Sequence, residues 1–192
     1  MRIALLLFVL LAFGCNGSNN NGIINTTPAA AELPPFKSWI TFESPDAPYS
    51  IALPKTPTVK AMDVGLDKPL QVRMCEMSRT LVLTTSGSDV PARINVFDEK
   101  EYRRIFDAAM NSELAGMKAT LIEQKTFLYQ GKYPTREYTA NVVEPTVGKG
   151  IVRARKTLLP GKLLEHMIVA EAETITQPEV TMFLDSVNIK SK

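Results

Sequence analysis

Residues 131–187 decide the fold: Gly131-Lys-Tyr-Pro-Thr-Arg-Glu-Tyr-Thr-Ala-Asn-Val-Val143, then Gly150-Ile-Val-Arg-Ala-Arg-Lys-Thr-Leu-Leu159, the pair Pro160-Gly161, Lys162-Leu-Leu-Glu-His-Met-Ile-Val-Ala-Glu171, and a closing helix that runs to Val187. Each arm is rich in β-branched, aromatic and aliphatic residues, and each is bounded by turn residues, which predicts three consecutive antiparallel strands. Pro145–Gly148 and Pro160-Gly161 are read as the two hairpin connections. A loop at Pro145–Gly148 sets Glu137, Lys156 and Glu165 side by side on one face. It sets Tyr138, Arg155 and His166 together on the other. A slip of one residue exchanges the faces and dissolves both groupings.

Outward from this core, Thr120–Tyr129 predicts a fourth meander strand before it. Asp98–Gly116 predicts a helix. Tyr102, Ile105, Phe106, Ala109, Met110 and Leu114 recur at helical spacing, Asp98 and Glu101 form a capping pair, and Gly116 is the expected left-handed stop. A second helix is expected after Thr176, capped by its hydroxyl, with Val180, Phe183, Leu184 and Val187 facing inward. Upstream, Phe36–Thr41 and Tyr49–Leu53 read as a hairpin around Ser44-Pro-Asp-Ala-Pro48. Val59–Val64 is a short strand, Gly65–Pro69 a turn, and Leu81–Leu83 a further strand. In Leu70–Met77, Leu70, Val72 and Met74 alternate with Gln71, Arg73 and Cys75, the pattern of a half-buried strand. The expected class is α+β: a largely antiparallel sheet with two helices packed on its faces.

The chain has 192 residues, 45% of them hydrophobic, and a net charge of +2. That is one domain with tails, and the weak charge argues against a nucleic-acid partner. At the N-terminus Arg2 precedes the apolar run Ile3–Phe13 and Gly14-Cys15, the layout of a secretory signal peptide. The run is shorter than the roughly 20 residues a spanning helix needs. Leu11-Ala-Phe-Gly-Cys15 resembles the bacterial lipobox, which implies lipid on the Cys15 thiol and cleavage just before it. An ordinary signal peptide cut near the same place is the alternative. The expected organisation is a signal peptide over 1–14, lipidated Cys15 and a tether over 15–35, and a folded domain over 36–190. Asn16–Ala31 is rich in Asn, Gly, Ser, Thr and Ala and is expected to stay unfolded, spanning ~25 Å.

Tyr-Ser-Ile-Ala-Leu-Pro at 49–54, Gly-Lys-Tyr-Pro-Thr-Arg-Glu at 131–137, Arg-Ala-Arg at 153–155 and Phe-Leu-Asp-Ser-Val at 183–187 carry a resemblance. They look like small bacterial lipoproteins, planctomycete versions especially, whose domains are similar to the PsbP-like α/β/α sandwich. The resemblance implies an accessory or binding module.

Catalytic patterns are sparse. Cys75 and His166 are the thiol and imidazole available to a nucleophilic pair, but no Gly-rich nucleophile turn surrounds Cys75, and a structural cysteine is the simpler reading. No P-loop, G-x-S-x-G, H-E-x-x-H or C-x₂-C occurs, so no metal or cofactor is expected. Lys132, Arg136, Lys149, Arg153, Arg155, Lys156 and Lys162 outnumber Glu137, Glu144 and Glu165 in the meander. Arg136, Arg153, Arg155 and Lys156 are the candidate face for an envelope protein or anionic surface. Cross-strand pairing with Glu137 and Glu165 on a solvated sheet explains the same charges more simply. Three functional readings stand: a lipid-anchored binding or assembly-accessory module, an extracytoplasmic enzyme using Cys75 and His166, and a small-ligand pocket between helix 98–116 and the sheet.

Overall fold

The computed structural model describes residues 32–63, 68–144 and 148–190. Cys15, the tether up to Ala31, the turn from Gly65 and most of the Pro145–Gly148 connection lie outside the described residues. Ten strands and three helices follow in order: β1 (Ile40–Glu43), β2 (Tyr49–Leu53), β3 (Thr58–Met62), β4 (Leu70–Ser78), β5 (Leu81–Asp89), α1 (Glu99–Gly116), β6 (Ala119–Tyr129), β7 (Tyr133–Glu144), β8 (Gly148–Leu159), β9 (Lys162–Ala170), α2 (Ala172–Ile175), α3 (Pro178–Asp185) and β10 (Asn188–Ile189). Seven strands form one antiparallel sheet in the order β3-β4-β5-β9-β8-β7-β6, and β1-β2-β10 form a second, small sheet. The expected α+β class holds, with the sheet divided in two.

The inner strands of the large sheet are buried on both sides, while its edge strands β3 and β6 are largely exposed. Helix α1 covers one face, where Met110 and Met117 pack with Val72, Ala140, Val152 and Met167. Phe106 packs there with Leu158 and Leu163. The small sheet, α2 and α3 cover the other face, bringing Tyr49, Ile51, Phe183 and Leu184 onto Leu83, Leu164 and Ile168. Gly87 permits this close approach, since a Cβ there would stand 3.0 Å from that of Ala47. Two-sided burial explains why β4 departs from simple alternation. Val72 and Cys75 are both buried, on opposite faces, and Arg73 is buried with them.

Helix α1 begins as expected, with the Asp98 carboxylate accepting from the Glu101 backbone N–H at 3.1 Å. The return half of a capping box is absent, because Glu101 pairs with Arg104 at 3.6 Å instead. Asp98→Ala is expected to lower stability by about 1 kcal/mol, read as a downshift of the circular-dichroism melt. Gly116 is not the left-handed stop. Met117 is pulled into the core, so the positive φ of 51° falls on Lys118. Thr176 is not a cap either: its hydroxyl donates to the Glu173 carbonyl at 2.8 Å, closing the unforeseen α2. Pro178 starts α3, and the side-chain oxygen of its N-cap residue Gln177 accepts instead from the Leu33 N–H at 3.2 Å, where the chain enters the domain. The first expected strand also changes, since Phe36–Ser38 form a 3-10 turn before β1.

Candidate functional site

The register across the meander sets which side chains meet. Between β8 and β9 it is as expected: Lys156 opposes Glu165 and Arg155 opposes His166. Between β7 and β8 it is shifted by one residue, so Glu137 opposes Arg155, Arg136 opposes Lys156, and Tyr138 opposes Ala154. The shift aligns Tyr138, Ala140 and Val142 with Ala154, Val152 and Gly150, so one apolar set faces α1. Neither grouping expected for the three meander strands therefore survives whole.

In their place, polar residues form a row across six strands beneath the small sheet: Arg73, Thr85, His166, Arg155, Glu137 and Lys125. Arg73 is ion-paired with Asp46. Tyr49 Oη lies 2.6 Å from Thr85 Oγ1, which lies 2.9 Å from His166 Nδ1. Burial, with the Arg155 charge adding to it, depresses the His166 pKa to about 3, so the imidazole is neutral. Glu137 is held from both sides. Arg155 donates to its Oε2 at 2.7 and 3.0 Å, and Arg153 donates to its Oε1 at 2.7 and 3.1 Å. Burial alone would raise the Glu137 carboxyl, but these two guanidinium groups outweigh it and hold the carboxyl below its ordinary value. Arg155 also donates to the Leu184 carbonyl at 2.7 Å and to Asp185 at 2.8 Å, tying the sheet to α3.

A second polar row runs on the opposite face: Thr126, Arg136, Lys156, Glu165 and Ser86. Lys156 is ion-paired with both Glu113 of α1 and Glu165. Tyr138 donates to Glu113. Arg136 pairs with Asp107 and lies 5.5 Å from the Phe106 ring centre. Two carboxylates thus share one buried ammonium. Burial, followed by the proximity of Glu113, pushes Glu165 up to about 7. Burial opposes the charge on Lys156, but the two carboxylates prevail and raise its pKa.

The four basic candidates consequently do not make one exposed face. Arg136 and Lys156 point toward α1, Arg153 and Arg155 toward α3, and only Arg153 is more than marginally exposed. Pairing with Glu137 and Glu165 does occur, in the interior and not on a solvated sheet. Glu113 was missed by the sequence reading. Its signal was its place in Phe106, Ala109, Met110 and Glu113, at i, i+3, i+4 and i+7 of the buried stripe.

Cys75 and His166 are not brought together. They lie on β4 and β9 with β5 between them, and Cys75 stands level with Leu83 while His166 stands level with Thr85. The Cys75 thiol is buried, donates to the Lys55 carbonyl at 3.3 Å, and has its pKa raised by that burial. Alkylation of the native chain at neutral pH is expected to leave Cys75 unmodified on peptide mapping, and urea to expose it fully. Among the described residues no group of three His, Cys, Asp or Glu side chains is placed to hold a metal ion. The interface between α1 and the sheet, the place of the ligand pocket in the third functional reading, holds Phe106, Met110, Lys156 and Glu113.

An open concavity among the described residues lies at the end of the sandwich where the 45–48, 130–132 and 160–161 turns gather beside β10. It measures about 760 Å³, within the range of ligand-sized sites. Buried Ala47, Tyr133, Leu159 and Ile189 contribute to its lining, and Lys132, Lys162 and Lys190 stand around it.

No family model and no curated protein matches the sequence. Among solved structures, the chain is similar to the solution structure of cyanobacterial PsbP (CyanoP) from Synechocystis sp. PCC 6803, with a TM-score of 0.56 and 14% identity over 92% of this chain and 100% of that one. A protein of unknown function from Pseudomonas aeruginosa, described as a putative regulator, aligns with a TM-score of 0.46 and 10% identity over 80% of this chain and 99% of the other. The architecture is PsbP-like. At this level of identity the likeness establishes the fold alone.

Proposed function

We propose that this chain is an extracytoplasmic binding or assembly-accessory module with no chemistry of its own, anchored to a membrane face through acyl chains on Cys15. The observation that carries this reading is the polarity of the domain. The chain enters at Leu33, bonded to Gln177 in the link between α2 and α3, on the side of the domain to which β9 delivers the chain. The cleft includes Lys162, the first residue of β9. One strand length of roughly 25–30 Å therefore separates the point of entry from the open site. A domain tethered at that end carries its cleft at the opposite end, open to a partner. The lipobox-like run before Cys15 supports the anchor, and multiple acyl chains make such anchoring stable. The motifs shared with planctomycete-type lipoproteins belong to the same proposal. The alternative of an enzyme built on Cys75 and His166 loses support from the strand that separates them.

Intact mass of the protein extracted from its native membranes tests the anchor. A mature chain beginning at Cys15 and carrying acyl chains is expected, with Cys15→Ser releasing the protein from the membrane fraction. An unmodified soluble chain would sink the anchored reading.

A further inference from the structure

Three lysines from separate parts of the chain converge on the end cleft: Lys132 in the β6–β7 turn, Lys162 at the start of β9, and Lys190 after β10. The acidic residue that shares the lining, Asp46, is already engaged by buried Arg73. Lys162 and Lys190 are paired with Asp89, at 2.7 Å, and with Glu43. Both carboxylates are largely solvated, with 81% and 55% of their side-chain surface exposed. Such exposed pairs contribute about 0–1 kcal/mol each, so an incoming carboxylate exchanges with them at little cost. Among the described residues Lys132 has no carboxylate partner, and its ammonium lies 5.1 Å from the centre of the Tyr133 ring. Between the lysines the floor is apolar, built from Ala47, Tyr133, Leu159 and Ile189.

We propose that this cleft binds an acidic segment of a partner protein, with apolar side chains on the floor and carboxylates on Lys132, Lys162 and Lys190. A bare phosphate leaves the apolar floor unused, and a neutral sugar leaves the three ammonium groups without a counter-charge. The cleft lies at the end of the domain opposite the entry of the tether, so a lipid headgroup of the anchoring membrane would reach it only with the domain turned over on that tether. That second argument rests on the anchored reading above; the match of basic rim to apolar floor does not.

The test is selection from a fully random decapeptide display library on the immobilised full chain and on its Lys132→Gln/Lys162→Gln/Lys190→Gln variant. Both are first shown to share one circular-dichroism melt. The expected result is enrichment of Asp and Glu among apolar residues on the parent chain and its loss on the variant. A synthetic copy of the best peptide is expected to bind the variant about tenfold more weakly by fluorescence anisotropy, a difference of about 1.4 kcal/mol. No selection, selection of neutral or basic peptides, or equal retention by the variant overturns the proposal. Lysine-dependent cosedimentation with vesicles containing phosphatidylglycerol, without peptide selection, also overturns it, in favour of a membrane surface. The selection uses no membrane, so its outcome is separate from the mass measurement that decides the anchor.

Discussion

Glu165→Gln is expected to make the protein more stable than the parent at alkaline pH, with a difference that is smallest near pH 5 and below. The Glu165 carboxyl has a pKa of about 7 in the folded chain against 4.5 for an ordinary glutamate. The unfolded chain therefore loses this proton first. Between those two values the folded state holds more protons, so unfolding free energy falls as pH rises through the window and levels off above it. The upper bound on this loss is about 3–4 kcal/mol, from a shift of about 2.5 pH units at 1.36 kcal/mol each. Glutamine keeps the shape and the hydrogen-bonding capacity without the charge, and Lys156 keeps Glu113 as its counter-charge. Glu113 Oε1 and Glu165 Oε1 are buried without hydrogen-bond partners among the described residues, which is costly for two ionised groups sharing one cation. Urea midpoints for both chains at pH 5, 6.5 and 8 check the expectation. A stability difference that fails to widen with pH would refute it. His166 runs in the opposite direction. Its folded pKa of about 3 lies below the ordinary 6.5, so its contribution is lost as pH falls below 6.5. Both chains carry His166, and comparing the two cancels most of its effect.

Arg155→Met is expected to cost about 3–5 kcal/mol, the range for removing one partner of a buried ion pair. The substitution removes hydrogen bonds to Glu137, the Leu184 carbonyl and Asp185 at once. It also empties the space beside the Phe127 and Tyr129 rings, whose centres lie 5.6 and 5.3 Å from the guanidinium carbon. Glu137→Gln alone is expected to destabilise as well, since Arg153 and Arg155 lose their shared counter-charge. Because the two residues form one network, the double substitution should cost less than the sum of the singles, by about 1–3 kcal/mol. Four urea curves complete that cycle. Strict additivity would mean that the pair does not act as a unit.

Much of the fold was legible in local chemistry. The Pro160-Gly161 turn set the β8–β9 register correctly, because a two-residue connection leaves little freedom in what opposes what. The stripe from Tyr102 to Leu114 announced α1, and Asp98 announced its start. The β7–β8 register was harder to place. The apolar set Tyr138, Ala140 and Val142 is matched to Val152 and Ala154 by a helix some twenty residues upstream in the chain, and this match moved Glu137 from Lys156 to Arg155. The open cleft was illegible for a related reason. Its lysines come from separate segments, and nothing in any one segment marks them.

By itself the sequence determined the order of most strands and of α1 and α3, though not α2 or β10, the ends of several elements, and which neighbours along a strand share a face, since these follow from turn chemistry and a side-chain period of two. It also carried the export and lipidation expectation at Cys15. Only the tertiary structure decided that Arg136, Arg155, Lys156, Glu137 and Glu165 are interior residues. Alternation distinguishes the two faces of a strand but says nothing of what will cover each one. The covering layers here come from α1 on one side and from the β1–β2 hairpin with α3 on the other. Once both faces are closed, a charge keeps its place only beside an opposite charge, and those partners, Glu113 and Asp185 among them, are brought by distant parts of the chain.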